Sequence, residues 1–259
     1  MAWERRAEHR ADPRARLRRT IPANLGVLPR LLRGRIRYPF AARHADRAES
    51  FRERRAPRVS ACQAGILSYE AYRRSLAPIV RAVYRLEVRG VEHVPADGAL
   101  VIAGNHESML DPFVMSSAIS RPIRYLAKSD LWEVPLLSFW LKSVEAISVK
   151  RGGSDVAAIA AAVAALEVGE AVGLFPEGGV KREGPWMRGA ARLALAAGAP
   201  ILPVRLLETR KALGKNSFGF PRIVALIGEP LAVEQTTPTP ELARALTDRL
   251  QAAVEELGT

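Results

Sequence analysis

From residue 84 onward, short β-rich runs alternate with helical stretches, and this alternation leaves few architectures open. Residues 84–89 and 99–103 read as strands joined across Pro95-Ala96-Asp97-Gly98, a turn by composition. Further strands are expected at 123–128, 146–149, 171–175, 201–207 and 223–227. Helical patterns fall between most of them, at 112–120, 131–142, 155–167 and 189–197, and a last one, 240–257, follows Thr239 as its cap. Such a sequence predicts an α/β fold: one mostly parallel sheet flanked by helices, in a single domain over 61–259. A body of about 200 residues is long enough to bury one substantial core.

Charge separates that body from what precedes it. The 259-residue chain has 39 Lys+Arg against 27 Asp+Glu, a formal net charge of +12. Residues 1–60 hold 17 Arg, no Lys and 6 acids, so almost the whole excess lies there and the body is close to neutral. A uniformly basic, nucleic-acid-coating surface is thereby excluded. The 1–60 segment reads as a disordered Arg-rich arm, as sequence upstream of the true start, or as a polybasic arm held by anionic lipid. Cys62 is the only cysteine, so neither a disulfide framework nor a CxxC metal site is possible. The longest strongly apolar run, 156–166, is too short to span a bilayer, and no signal peptide is evident. The expectation is a chain without a transmembrane helix, peripheral or monotopic on the cytoplasmic face of a membrane.

Two stretches carry a choice between core and interface. Tyr69, Tyr72, Leu76, Ile79, Val80 and Val83 recur at helical spacing, with Arg74, Arg81 and Arg85 on another face and Pro78 placed to kink the helix. Residues 61–83 thus suit either a core-packed helix or one lying in the head-group layer. Trp132, Leu136, Leu137, Phe139, Trp140 and Leu141 suit a buried helix, an acyl-groove wall or a membrane-dipping surface.

Chemistry is sought in the loops after strands. The loop after Ala103 runs Gly104-Asn105-His106-Glu107-Ser108-Met109-Leu110-Asp111-Pro112. Asp111 reads as a helix cap with Pro112 at the first helical position. Five residues along a regular helix would part His106 from Asp111 by about 140°, but a loop before a helix start can fold the imidazole back onto the carboxylate. Such a pair fixes one imidazole nitrogen and leaves the other as a base; the plainer reading is a loop histidine beside a capping aspartate. Two further strand ends carry Val149-Lys150-Arg151-Gly152 and Phe175-Pro176-Glu177-Gly178-Gly179, the latter trailed by Lys181 and Arg182. A third segment, Ala199-Pro200-Ile201-Leu202-Pro203-Val204, leads into a strand. A His–Asp pair with cations beside it suits an alcohol acceptor that carries a phosphate.

These blocks, NHESMLD, the strand end at Arg151, FPEGG and APILPV, resemble in kind and order those of the glycerolipid acyltransferases, the 1-acylglycerol-3-phosphate acyltransferase family. The resemblance spans roughly residues 84–233. It implies His106 as general base and Asp111 as its orienting partner. It further implies Asn105, Arg151, Glu177, Gly178 and Gly179 in the acceptor site, and Pro203 in the pocket wall. The acyl donor would be acyl-CoA or acyl-carrier protein, the acceptor a lysophospholipid at an anionic membrane surface. No metal, cofactor, covalent intermediate or nucleic-acid partner is implied, and Cys62 lies outside every block. One departure stands out. The family continues FPEG with Thr-Arg, whereas Gly179-Val180 stand here and Lys181 and Arg182 follow. Those two cations would take over the phosphate, or the acceptor would differ from lysophosphatidic acid: another lysolipid, an amino-lipid or a glycolipid. A non-enzymatic reading, an Arg-armed lipid- or nucleic-acid-binding module, has only the arm in its favour.

Overall fold

A computed structural model of the chain describes residues 59–150, 155–180, 184–214 and 217–258. All fall in one compact unit, Pro57–Thr259. The basic arm up to residue 58, and with it Arg151, Lys181 and Arg182, lies outside the described residues.

The described residues begin with helix α1 (Val59–Val83), followed by β1 (Glu87–Arg89), β2 (Leu100–Gly104), α2 (Asp111–Ala118), β3 (Ile123–Lys128), α3 (Pro135–Ser143) and β4 (Ile147–Val149). Then come α4 (Val156–Glu167), β5 (Ala171–Leu174), α5 (Gly189–Ala197), β6 (Ile201–Leu207), the one-turn α6 (Thr209–Ala212), β7 (Leu213–Gly214), β8 (Ser217–Phe218), β9 (Val224–Ile227) and α7 (Pro240–Glu256). Seven strands form one sheet in the order β1-β9-β6-β2-β5-β3-β4, and β7–β8 make a separate hairpin. Pairing is parallel throughout the large sheet except between β6 and β9, so β9 and β1 run against the other five.

A parallel strand covered by helices on both faces needs apolar side chains at every position. Leu100, Val101, Ile102 and Ala103 of β2 are all fully buried. Leu100 and Ile102 pack with Tyr69, Met115, Tyr125 and Trp140 under α1, α2 and α3. Val101 and Ala103 face α4, α5 and α7, where Ala162, Ala191, Leu193 and Leu250 fill the second layer. Burial of each large aliphatic side chain contributes roughly 1.5–3 kcal/mol. Pro203 sits in the interior strand β6, where a missing N–H would ordinarily be costly. Its carbonyl accepts from Gly228 N, at the point where the antiparallel ladder with β9 ends, so the lost donor falls beyond the last rung.

Several elements depart from the sequence reading. The first strand begins at Glu87, because Tyr84 and Arg85 close the end of α1 and Arg85 adopts a positive φ of 44°. The segment 131–142 divides into a 3-10 turn, Ser129–Glu133, and α3, since Pro135 starts a new helix. Pro78 lies inside α1 without splitting it. Tertiary bonds hold that helix: Tyr69 Oη donates to Arg121 O (2.7 Å), Tyr72 Oη to Phe113 O (2.8 Å), and the Arg81 guanidinium to Ser117 O. Its tyrosine face is therefore core, while Leu76, Ile79 and Val83 remain exposed. The aromatic stretch divides likewise, with Trp140 and Leu141 buried and Leu136 and Phe139 left 84% and 74% exposed. Among the described residues, no helix is long and apolar enough to cross a membrane.

Candidate active site

Five parallel strands point their C-terminal ends to one edge of the sheet, and the loops that follow β2, β3, β5 and β6 meet there. The close approach of β2 to its neighbour at this edge depends on Gly104, where a Cβ would come within 2.8 Å of Val204 O and 2.9 Å of Met115 Cε. Just beyond it, the Asn105 side-chain amide donates to Leu206 O (2.9 Å) and its oxygen accepts from Leu206 N (2.8 Å). The Asn105 amide thus extends the β2–β6 ladder by one rung and fixes the start of the loop.

The loop then reverses. His106 Nδ1 lies 2.8 Å from Asp111 Oδ2, and the same oxygen accepts from Glu107 N (2.7 Å) and Ser108 N (2.8 Å). Asp111 does not cap α2 as the sequence suggested. Leu110 occupies the cap position, Asp111 is the first helical residue, and its carboxylate faces back into the preceding loop. Three donors on one oxygen outweigh what a single capping bond would contribute. Asp111 is 0% exposed, and its Oδ1 has no hydrogen-bond partner among the described residues. Because a carboxylate only accepts, Nδ1 of His106 carries the hydrogen and Nε2 keeps the lone pair. The His106 side chain retains 14% exposure, which leaves the ring reachable from outside.

The loop after β5 supplies the other wall. Phe175 stacks on the imidazole at 4.3 Å and 18°. Pro176 and Glu177 form a turn closed by Gly178 N donating to Phe175 O, and the φ of +74° at Gly178 explains the glycine. The Glu177 carboxyl lies close enough to His106 for that residue's backbone N–H and charge to act on it. Burial pushes the Glu177 carboxyl above its ordinary value of 4.5, and the N–H and charge of His106 only partly oppose this. A raised folded-state value means stability is lost as pH rises from the ordinary glutamate range through the folded value. Glu177→Gln is therefore expected to melt at a higher temperature than the parent at pH 8 and at about the same temperature at pH 4. A parent that is as stable as the variant at pH 8 would contradict this assignment.

The sequence reading missed three contributors. Phe175 was visible only as part of a block, and its stacking depends on how two loops meet. Ser108 is fully buried, and its hydroxyl donates to Leu213 O (2.7 Å), which links the loop to the unforeseen β7–β8 hairpin. Lys128 ends β3, and its Nζ is 3.3 Å from where a Cβ on Gly179 would stand. A search of every strand end for cations would have found it. The oxyanion of an acyl-transfer intermediate needs hydrogen-bond donors, and the backbone amides of Glu107 and Ser108 are already committed to Asp111. Among the described residues no cluster of three or more His, Cys, Asp or Glu is arranged to hold a metal ion.

A buried carboxylate, a partly exposed imidazole with one nitrogen left free, and a lysine beside the neighbouring Gly179 loop can together deprotonate a hydroxyl and bind an anion. Comparisons with known proteins agree in class. The acyltransferase family model matches residues 85–207. A 1-acyl-sn-glycerol-3-phosphate acyltransferase of Bacillus subtilis is 31% identical over 176 residues, covering 66% of this chain and 87% of the relative. The enzyme of that name from Borreliella burgdorferi is 32% identical over 137 residues, and there the match spans only 55% of the relative. In fold, the chain is similar to the crystal structure of the 1-acyl-sn-glycerophosphate acyltransferase from Thermotoga maritima, with a TM-score of 0.56, 20% identity, and coverage of 85% of this chain and 92% of that one.

Proposed function

This chain belongs to the 1-acylglycerol-3-phosphate acyltransferase family, and from that premise we propose that it transfers a fatty acyl group from acyl-CoA or acyl-carrier protein to the free hydroxyl of lysophosphatidic acid, giving phosphatidic acid. The observation that carries this reading is the 2.8 Å contact between His106 Nδ1 and Asp111 Oδ2, with Nε2 left as the base. His106 Nε2 takes the hydroxyl proton as the oxygen attacks the thioester carbon. The buried Asp111 carboxylate stabilises the imidazolium that forms. The tetrahedral intermediate collapses with loss of the thiolate, and the imidazolium returns its proton to that sulfur. The step draws only on side chains and the two substrates.

The acceptor's phosphate is assigned to Lys128, and, on the family resemblance alone, to Arg151, Lys181 and Arg182, which lie outside the described residues. Gly179, where the family has threonine, leaves room for the Lys128 ammonium against the backbone of the loop. The same departure favours a second reading, in which the chemistry is unchanged and the acceptor is a different lysolipid, an amino-lipid or a glycolipid. The exposed Leu136 and Phe139 support action at a membrane surface, which we assign to the cytoplasmic side.

The test is purified protein with acyl-CoA and a panel of lysolipids, with thiol release followed by a colorimetric reagent and the product identified by mass. Release that depends on lysophosphatidic acid supports the proposal. Release with another lysolipid alone transfers the assignment to the second reading, and no release with any acceptor or donor defeats both.

A further inference from the structure

The β7–β8 hairpin and the residues after it serve neither the sheet nor the dyad, yet they expose large aromatics beside the catalytic loop. Phe218 is 74% and Phe220 is 59% exposed, and Leu213 is also exposed. The two phenyl rings meet edge to face at 5.4 Å, and Phe220 lies 6.1 Å from Tyr84. Arg85 Nη2 donates to Phe220 O (3.1 Å), and Gly219 N donates to Ala212 O, so the aromatics project from a held backbone. Through Tyr84 this patch runs on to the exposed Val83, Ile79 and Leu76 of α1. Cations lie beside it: Arg85 on the Phe220 carbonyl, Lys211 against Gly219 and paired with Glu208, and Arg222, two residues after Phe220, paired with Glu87.

Apolar side chains bordered by cations match the outer layer of a bilayer with anionic head groups, where aromatic rings sit below the phosphates and arginines at their level. The core of a protein–protein interface is instead depleted of charged residues, lysine among them. We infer that Phe218 and Phe220 insert into an anionic lipid surface and hold the catalytic edge of the sheet against it. Position makes this more than an anchor: the Ser108 hydroxyl bonds Leu213 O, so the inserted segment is joined directly to the loop that carries His106. A lysolipid acceptor would then slide laterally into the cleft without leaving the surface. This rests on the acyltransferase reading only for its benefit; the lipid contact itself can be measured without turnover.

The full-length chain is floated with vesicles of phosphatidylcholine alone and with added phosphatidylglycerol. The parent is expected to bind the anionic vesicles. Phe218→Ser with Phe220→Ser is expected to weaken that binding at least about tenfold, and Phe218→Trp to preserve it. Phe220 contacts Tyr84, so Phe218→Ser alone, whose ring is nearly free of the body, provides a variant whose folding is not at stake. In a Cys62→Ser background, a Phe218→Cys label is expected to be quenched by brominated acyl chains. With a short-chain lysolipid below its micellar concentration, turnover of the double variant should match the parent. Unchanged flotation overturns the inference. So does a parent dimer that the double variant dissociates, or loss of binding to an acidic acyl-carrier protein with vesicle binding intact. Absence of any acyl transfer would defeat the proposed function and leave the flotation result to decide this one.

Discussion

His106→Ala is expected to lower acyl-transfer turnover by about 10²–10⁴-fold, the range over which a positioned base assists proton transfer. The loss should appear in kcat with little change in the KM for acyl donor, because the imidazole meets the acceptor hydroxyl and not the donor's distal groups. Folding should survive. His106 lies in a loop, its ring rests on Phe175, and Asp111 keeps the Glu107 and Ser108 amides when the imidazole is gone. Asp111→Asn separates base from orientation. An amide can donate to Nδ1, which reverses the tautomer and presents a hydrogen where a lone pair is required. Its turnover should fall by a comparable factor while His106 remains in place. Near-parental turnover in His106→Ala, measured as thiol release, would remove the histidine from the mechanism.

The second large effect is on stability and lies at the opposite end of the sheet. Arg121 precedes β3 and is nearly buried, and its guanidinium donates to the carbonyls of Pro95, Asp97, Gly98 and Gly169 at 2.7–3.1 Å. Four acceptors from two separate turns, the one before β2 and the one before β5, thus converge on a single planar fork. Arg121→Met keeps the apolar stem and strands the carbonyls. The expected cost is about 3 kcal/mol, since bonds to charged donors are worth more than neutral ones but do not add. For a domain of this size that is a drop in melting temperature of about 6–12 °C. Arg121→Lys should recover only part of it, because one ammonium cannot reach four acceptors in a plane. A melting temperature within about 2 °C of the parent would show that water replaces the guanidinium at little cost.

Patterns with a short range were legible before any coordinates. β2 and β5 appear as apolar runs, and β6 as one broken only by Arg205, because two helical layers cover both of their faces, and their positions were read to within a residue or so. The Ala-rich α4, and α7 behind the Thr239 cap, were equally plain, since periodicity and capping are local. The NHESMLD and FPEGG blocks singled out the edge where the chemistry is proposed. The short elements escaped. A one-turn helix and a two-residue hairpin have no period to detect, and Ser129–Glu133 resembles the start of α3 until Pro135 divides them.

The order of strands along the chain and the class of fold follow from residue pattern alone, because each depends on side chains within a turn or two of one another; the two site loops were singled out by the family resemblance of their motifs. Which atoms touch does not follow from it. That Asp111 turns back to gather His106, Glu107 and Ser108 depends on the chain reversal after Gly104. That Asn105 serves Leu206, 101 residues later, depends on β2 and β6 becoming neighbours. That Phe218 and Phe220 stand beside the catalytic loop depends on where the β7–β8 hairpin packs, held there by bonds that include Ser108 Oγ to Leu213 O. The last two join segments far apart in sequence and are decided by packing energy that no local window contains; the first spans only five residues but takes a loop shape that no helix or strand period specifies.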